Sequence, residues 1–222
     1  MRTAARTRDG DAEALTAVRL GLFGGTFDPP HVGHLLAASD AYEALHLDRV
    51  VFIPAASQPF KQGVVAASTS ERLAMLRLLV ADDARFEVDA IEIDRGGLSY
   101  TVDTLDAYAV RHPSSERYLL IGEDLAAQIA TWRQADRIAA LAQVVVLARG
   151  LDADVASAHG GHDASPGAGR REQPAMPLVR IATRRVDVSS SEIRARVRAG
   201  LSLRGFVTEA VADYIRAAAL YR

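Results

Sequence analysis

Two histidines three residues apart carry the strongest chemical signal in this sequence. His31 and His34 close the segment GGTFDPPHVGH at residues 24–34, here called the first motif. Residues three apart are neighbours on a helix surface, so both histidines share one face if they lie on the first helical turn. Two imidazoles on one face can donate hydrogen bonds to a single triphosphate.

The residues around these histidines suit a phosphate site. Gly24 and Gly25 allow a tight turn and close backbone approach, and Pro29 and Pro30 restrict the loop that follows. Gly33 removes bulk between the histidines, where a ligand could press in. A helix start also offers free N–H groups and a partial positive charge to an anion. The segment is neither a P-loop nor GxGxxG.

A second candidate anion site is the segment VSSSEIR at residues 188–194, here called the second motif. It lies at the junction between a predicted strand and the helix that follows. Serines are good N-caps, and Glu192 suits a first helical turn. Arg194 offers forked donors for phosphate oxygens. Taken alone, the segment also fits a plain helix cap.

The elements that must position these segments alternate between strands and helices. Such alternation predicts an α/β fold with a parallel sheet, helices on both faces and ligands at the carboxyl ends of the strands. Ser68 and Glu71 form a capping box that opens one of the helices. The predicted strands are 19–23, 49–53, 87–93, 117–121, 144–147 and 178–182. The predicted helices are 32–45, 68–80, 101–110, 126–141 with a break near Trp132, one from Ser190, and 208–219.

Length and composition narrow the class of protein. The 222 residues suffice for one sizeable α/β domain, and we interpret 1–222 as a single domain. Residues 1–17 read as a mobile tail. Residues 150–177, without periodicity and rich in small polar residues, read as a disordered loop. His159 and His162 lie in that loop, where a solvated segment is favoured over a metal site.

Charge and cysteine content exclude further classes. The net charge of −2 gives no broad cationic field, so general nucleic-acid binding is not indicated. The absence of cysteine excludes disulfides and thiolate metal sites. No apolar run approaches the ~18–20 residues that span a bilayer, and the N-terminus lacks a secretory pattern. A cytoplasmic protein without membrane partners is therefore expected, and a homo-oligomer stays open.

The first motif resembles the signature of the HxGH nucleotidylyltransferase superfamily. In that superfamily the two histidines contact ATP phosphates and stabilise charge in the transition state. The second motif is similar to the superfamily's Ser-Ser-x-x-Ile-Arg signature, which closes on the ATP phosphates. The resemblance implies a Rossmann-like, doubly wound parallel sheet with a C-terminal helical segment.

Further segments resemble bacterial nicotinate-nucleotide adenylyltransferases. SYTVDTL at 99–105 looks like their Ser-Tyr-Thr-x-x-Thr-Leu segment, and Gly122 to Asp124 with the later Trp132 is similar to their Gly-x-Asp and tryptophan. QPFK at 58–61 resembles their Pro-x-x-Lys loop, although a histidine often stands where Phe60 is. The ending Tyr221-Arg222 is also similar. The match covers about 19–149 and 178–222.

This resemblance implies transfer of the adenylyl group of ATP to nicotinate mononucleotide, with Mg²⁺ carried mainly by the ATP phosphates and no dedicated metal ligands. Lys61 is the single lysine of the chain, which is either a survivor of compositional drift or a point charge for phosphate. The expected catalytic residues are His31, His34, Lys61 and Arg194. The expected ATP contacts are Gly24, Gly25, Thr26, Phe27, Gly33, Gly122, Asp124, Arg149, Ser189, Ser190, Ser191 and Ile193. The expected acceptor contacts are Tyr100, Thr101 and Trp132.

Other interpretations stay open on sequence grounds. Trp132, which could stack on a pyridine ring, could equally be a core tryptophan. The acceptor could be nicotinamide mononucleotide or phosphopantetheine, or the chain could be a cytidylyltransferase, although the double glycine, the Ser-Tyr-Thr segment and Trp132 favour nicotinate mononucleotide. A non-catalytic nucleotide sensor on the same fold is the alternative from another class, and intact His31, His34 and Arg194 argue against it.

Overall fold

The computed structural model describes residues 17–57, 66–150 and 177–222. Within these ranges, six parallel strands form one sheet in the order β3-β2-β1-β4-β5-β6. The strands are β1 Arg19–Gly25, β2 Arg49–Pro54, β3 Phe86–Val88, β4 Glu116–Gly122, β5 Gln143–Arg149 and β6 Leu178–Thr183. The predicted α/β fold with a parallel sheet is confirmed.

Helices cover both faces of this sheet, as predicted. They are α1 Val32–Ala44, α2 Thr69–Val80, α3 Ile91–Arg95, α4 Thr101–Arg111, α5 Glu123–Ala126, α6 Ala135–Leu141, α7 Ser190–Arg198 and α8 Glu209–Ala217, with a 3₁₀ turn at Ile129–Thr131. Helices α1, α2, α7 and α8 pack on one face, here called the first face. Helices α3, α4 and α6 pack on the other, the second face.

Alternate side chains of the central strands supply the two cores. Phe23 and Phe52 point to the first face, whereas Leu22 and Val51 point to the second. Successive residues of a strand face opposite sides, so a strand covered on both faces must be apolar at nearly every position. That requirement explains why the short apolar runs of the sequence predicted these strands correctly.

The strand order reverses between β1 and β4. From β1 the chain builds outwards through β2 to β3, then returns to β4 beside β1 and builds outwards to β6. In open α/β sheets the crevice at the carboxyl ends of such a switch point is the usual ligand site. Gly25 and Gly122 are the last residues of β1 and β4, so they border this crevice.

Two predicted elements differ from the structure. The strand expected at 87–93 is only Phe86–Val88, because the Asp89 carboxylate accepts the backbone N–H of Ile91 at 2.9 Å and α3 begins there. The helix expected at 126–141 is broken into shorter pieces, and Gln134 has a left-handed φ of 55°. The break near Trp132 was predicted.

The remaining local predictions have mixed outcomes. The capping box of α2 is present: the Ser68 N–H donates to the Glu71 carboxylate at 2.6 Å, and the Glu71 N–H donates to the Ser68 hydroxyl at 3.3 Å. The predicted tail at 1–17 and loop at 150–177 lie almost entirely outside the described residues. Among the described helices, none has the length and apolarity to cross a membrane.

Candidate active site

The first motif connects β1 to α1 at the switch point. His31 is the N-cap of α1 and is 8% exposed, and His34 lies half-buried on the first turn. The two imidazole ring centroids are 3.8 Å apart, with 32° between the ring planes. The His31 backbone N–H donates to Nδ1 of His34 at 3.2 Å. The structure thus brings both histidines together at the start of a 13-residue helix.

Two glycines of this motif make room for neighbouring rings. A Cβ on Gly33 would lie 3.0 Å from Nδ1 of His31, and a Cβ on Gly25 would lie 2.8 Å from the Phe27 ring. A Cβ on Gly24 would meet no atom of the described residues within 4 Å. Gly33 therefore keeps space for His31 itself, a reason that the sequence did not reveal.

Phe27 and Thr26 stand where β1 turns towards α1. Phe27 is 3% exposed with a left-handed φ of 53°, and its ring centroid is 5.0 Å from that of His34. Its side chain belongs to the core, so a contact with ATP can come only from its backbone. The Thr26 hydroxyl is buried and has no hydrogen-bond partner within the described part of the chain.

The second motif contacts the first, although the bonded residues are 161 positions apart. The Ser190 hydroxyl donates to the Pro29 carbonyl at 2.8 Å. Nη1 of Arg194 donates to the Asp28 carbonyl at 2.7 Å, and its side chain is 19% exposed. Two remote predicted anion sites therefore form one surface at the carboxyl edge of the sheet.

The other residues of the second motif cap or anchor helix α7. The Ser189 hydroxyl accepts the N–H of Glu192 at 3.2 Å and caps the helix, as its type predicts. The exposed Ser191 accepts Nη2 of Arg194 at 3.3 Å. Ile193 is fully buried in the core of the first face, so its side chain anchors α7.

Sequence reasoning assigned no role to two buried charged residues, Asp28 within the first motif and Arg72 behind it. Asp28 is 3% exposed, and Arg72 of α2 is 1% exposed. Arg72 donates to the carbonyls of Thr26 and Ala55 at 2.7 Å each. Burial lowers the pKa of Arg72, and the nearby Asp28 opposes that shift. Arg72 shares the buried face of α2 with Met75, so an arginine at an apolar helical position was the available signal.

The predicted acceptor residues lie on the second face. Tyr100 is the N-cap of α4 and Thr101 its first residue. Trp132 is partly buried against the same core, and its indole N–H is buried without a partner among the described residues. The Arg133 guanidinium carbon lies 4.6 Å from the Tyr100 ring centroid, a cation–π distance. This contact links the Tyr100 segment to the Trp132 segment.

Glu92 contacts helix α4, which begins with the predicted acceptor residues. Sequence reasoning assigned no role to Glu92. It is 8% exposed, and its Oε1 accepts the Thr104 hydroxyl at 2.7 Å. Burial raises the pKa of Glu92, while hydrogen bonds from Thr104 and Ser99 oppose that shift. The Ser99 hydroxyl also accepts the Ala56 N–H at 3.0 Å, which ties the segment to the end of β2. A glutamate inside a predicted strand gave only a weak signal.

The remaining predicted site residues lie at strand ends or outside the described chain. Gly122 ends β4, and the exposed Asp124 follows it. Arg149 is the last residue of β5 and pairs with Thr183 in the sheet register. Lys61 lies outside the described residues. Within the described ranges, no group of three or more His, Asp or Glu side chains is arranged to hold a metal ion.

Comparison with known proteins identifies the family. A family model described as cytidylyltransferase-like matches residues 22–196. A probable nicotinate-nucleotide adenylyltransferase of Gemmatimonas aurantiaca is 47% identical over 210 residues, covering 92% of this chain and 93% of the relative. This chain belongs to the nicotinate-nucleotide adenylyltransferase family. A probable nicotinate-nucleotide adenylyltransferase of Thermus thermophilus is 42% identical over 205 residues, covering 92% of this chain and all of the relative.

A solved structure supports the nicotinate-nucleotide adenylyltransferase fold. The Plasmodium falciparum nicotinic acid mononucleotide adenylyltransferase complexed with NaAD superposes with a TM-score of 0.70, covering 92% of this chain and 97% of that one. At 16% identity this likeness concerns the fold alone. The family resemblance and the Rossmann-like fold predicted from the sequence are confirmed.

Proposed function

We propose that this protein transfers the adenylyl group of ATP to nicotinate mononucleotide, giving nicotinate adenine dinucleotide and pyrophosphate. The observation that carries the proposal is the contact between the two motifs. The His31 and His34 rings lie against one another at the start of α1, and Arg194, from the second motif, donates to the Asp28 carbonyl. Membership of the nicotinate-nucleotide adenylyltransferase family supports it.

We assign the ATP phosphates to the first motif and Arg194. The start of α1 provides backbone N–H groups and a partial positive charge, and His31, His34 and Arg194 add directed donors. Lys61 is proposed as a further cation. The remaining proposed ATP contacts are Gly24, Gly25, Thr26, Phe27, Gly33, Gly122, Asp124, Arg149, Ser189, Ser190, Ser191 and Ile193.

The proposed step is a direct displacement at phosphorus. A phosphate oxygen of nicotinate mononucleotide attacks the α-phosphorus of ATP and forms the new P–O bond. The bond from the α-phosphorus to the α–β bridging oxygen breaks, and pyrophosphate leaves with the electron pair. Since the attacking phosphate is already anionic at neutral pH, no general base is required. The side chains hold two anions in line and stabilise charge on the transferring group.

Mg²⁺ is proposed to accompany ATP. This ion is bound mainly by phosphate oxygens and water in nucleotide sites, with one or two protein oxygens at most. Its contribution there is to neutralise phosphate charge during transfer.

We assign the acceptor to the second face. Stacking of Trp132 on the pyridine ring would contribute roughly 1–3 kcal/mol, if stacking on nucleic-acid bases is a fair guide. Tyr100 and Thr101, at the start of α4, are proposed to position the nucleotide. The cation–π contact between Arg133 and Tyr100 holds the two acceptor segments together.

The proposal is tested by supplying ATP and Mg²⁺ with nicotinate mononucleotide, nicotinamide mononucleotide or phosphopantetheine, and by measuring pyrophosphate from each. We expect rapid release with nicotinate mononucleotide. Equal inactivity with both mononucleotides would overturn the acceptor assignment. Binding of ATP without pyrophosphate release from any acceptor would instead support a nucleotide sensor.

A further inference from the structure

The C-terminal end of the described chain is buried against the first motif. Tyr221 is 9% exposed, and its hydroxyl donates to Oδ1 of Asp28 at 2.8 Å. Helix α8 has already ended at Ala217. Ala219 and Tyr221 then adopt left-handed φ angles of 53° and 64°, a region that residues with a Cβ rarely occupy. Residues held in such conformations often mark a functional constraint.

The Asp28 carboxylate is shared between the C-terminus and another loop. Its Oδ1 also accepts the Ala67 N–H at 3.0 Å, and its Oδ2 accepts the Ala66 N–H at 2.7 Å. Burial and the bond to Asp28 raise the pKa of Tyr221, so the hydroxyl stays protonated and keeps donating. One carboxylate therefore joins the first motif, the backbone at 66–67 and the C-terminal tyrosine.

Asp28 also neighbours the cation proposed for the ATP phosphates. Nη1 of Arg194 donates to the Asp28 carbonyl at 2.7 Å, while the same nitrogen lies 3.8 Å from the Asp28 carboxylate. That second distance is too long for a hydrogen bond. The Tyr221 hydroxyl and the two N–H groups fix the carboxylate, so the hydrogen bonds of the Arg194 guanidinium go to the Asp28 carbonyl and the Ser191 hydroxyl at the motif surface.

We propose that Tyr221 is a positioning residue for adenylyl transfer. This inference rests on the proposed function of the site. The Tyr221 hydroxyl fixes the Asp28 carboxylate and thereby keeps it from accepting a hydrogen bond from Arg194, with which it forms only an ion pair at 3.8 Å. Tyr221 touches no substrate in this scheme. Without the hydroxyl, one of the bonds that fix the orientation of the carboxylate is lost. The carboxylate can then turn, bring an oxygen within hydrogen-bond distance of Nη1 and draw the guanidinium away from the phosphates.

The first test is Tyr221→Phe, which keeps the ring and its packing. We expect the Kd for Mg·ATP, measured by calorimetry without acceptor, to rise by about tenfold, the usual scale for losing one hydrogen bond to a charged group, here the proposed contact of Arg194 with a phosphate. The KM for nicotinate mononucleotide should stay within about twofold, because the acceptor segments lie on the other face.

A matched control separates positioning from stability. Leu220 belongs to the same C-terminal segment and packs against the first-face core, and its aliphatic side chain cannot donate a hydrogen bond to Asp28. Leu220→Ala should lower the Tm but leave the Kd for Mg·ATP unchanged where the variant is folded. Loss of ATP affinity in step with Tm in both variants would show a merely structural role and overturn the proposal.

A double-mutant cycle with Arg194→Ala tests whether Tyr221 affects ATP binding through Arg194. If Tyr221 acts through Arg194, Tyr221→Phe should change the Kd for Mg·ATP by less than about twofold in the Arg194→Ala background. If the two substitutions instead multiply each other's effect on the Kd for Mg·ATP, Tyr221 does not act through Arg194 and the proposal is overturned. ATP binding is measured without acceptor. If nicotinate mononucleotide is not a substrate, the proposed function is therefore contradicted, but the test of Tyr221 can still be interpreted.

Discussion

His34 is held in place by its neighbours. Its Nδ1 accepts the His31 N–H, and its ring lies against Phe27 and Phe23. A preorganised donor of this kind stabilises charge in a transition state without reorganising as the reaction proceeds. We therefore propose that the fixed orientation of His34 provides much of its contribution to adenylyl transfer.

The substitution His34→Ala tests that contribution. Pyrophosphate release should fall at least ~100-fold, by analogy with loss of one preorganised donor. The fold should persist, since His34 is only partly buried. Circular dichroism and thermal unfolding would establish that the variant is folded. Near-normal turnover in the folded variant would remove His34 from the catalytic residues.

Gly33→Ala is a finer test of the same geometry. The added Cβ would lie 3.0 Å from Nδ1 of His31, so that ring must move by a few tenths of an ångström. Alanine gains up to about 1 kcal/mol over glycine within a helix, which offsets the crowding in stability. We therefore expect nearly unchanged stability with turnover lowered about tenfold, because small displacements of positioned groups are costly.

Gly24→Ala is the matched stability control for that variant. Its Cβ would meet no atom within 4 Å in the part of the chain that the structure describes, so the free energy of unfolding measured without ATP should change little. Urea unfolding of both variants, beside pyrophosphate release, makes the comparison. Gly33→Ala with wild-type turnover would show that His31 can shift without consequence.

Single residues also show how much of the site the sequence can predict. The spacing of His31 and His34 placed two rings on one helical turn, because that distance is local. Asp28, Arg72 and Glu92 were missed, because their partners lie on other elements and only tertiary packing brings them together. Periodicity can mark Arg72 as a buried position but cannot identify the carbonyls it binds.

At the scale of elements, a buried carboxyl group joins helix α3 to helix α4, whose start carries the proposed acceptor contacts Tyr100 and Thr101. Glu92 of α3 accepts the hydroxyl of Thr104 of α4, and Arg95 donates to the same hydroxyl at 3.2 Å. Burial raises the pKa of Glu92 above its ordinary 4.5. The folded chain therefore retains this proton to higher pH than the unfolded chain.

This shift predicts how stability depends on pH. The contribution from Glu92 is full below its unfolded pKa near 4.5 and is lost as pH rises through the folded pKa, because the folded state binds more protons there. Relative to Glu92→Gln, the wild-type free energy of unfolding should therefore fall between about pH 4.5 and neutrality. Urea unfolding across that range measures the difference.

An exposed glutamate supplies the control. Glu209 begins α8 at the surface and takes no part in the Glu92–Thr104 hydrogen bond, so Glu209→Gln should leave the pH-dependent contribution of Glu92 in place. A constant difference between wild type and Glu92→Gln from acid to neutral pH would show that Glu92 titrates alike in both states.

The elements themselves were predictable to different degrees. The buried strands were found because a sheet covered on both faces requires apolar runs. Helix α3 was not found, since its five residues alternate in polarity like a strand and an Asp89 side-chain bond decides where the strand stops. The order of strands follows from long-range pairing, and alternation predicted only that the sheet is parallel.

At the scale of the whole molecule, the two proposed half-sites belong to opposite faces of one sheet. The rings around His34 join the first-face core, whereas Tyr100 and Trp132 pack on the second. The two faces meet at the carboxyl edge, where the strand order reverses. Two substrates can thus approach one another there while each is held by its own set of helices.

The single tryptophan makes this division measurable, because Trp132 is the only such fluorophore in the chain. Titration with nicotinate mononucleotide should change the Trp132 emission, since stacking on a pyridine ring alters the surroundings of the indole. Titration with Mg·ATP alone should change it far less, because the ATP motifs lie on the first face. Trp132→Phe should abolish the signal and weaken nicotinate mononucleotide binding by about tenfold, near the low end of the stacking energy. An emission that responds to Mg·ATP but not to nicotinate mononucleotide would contradict the assignment of Trp132 to the acceptor and would reverse the roles of the two faces.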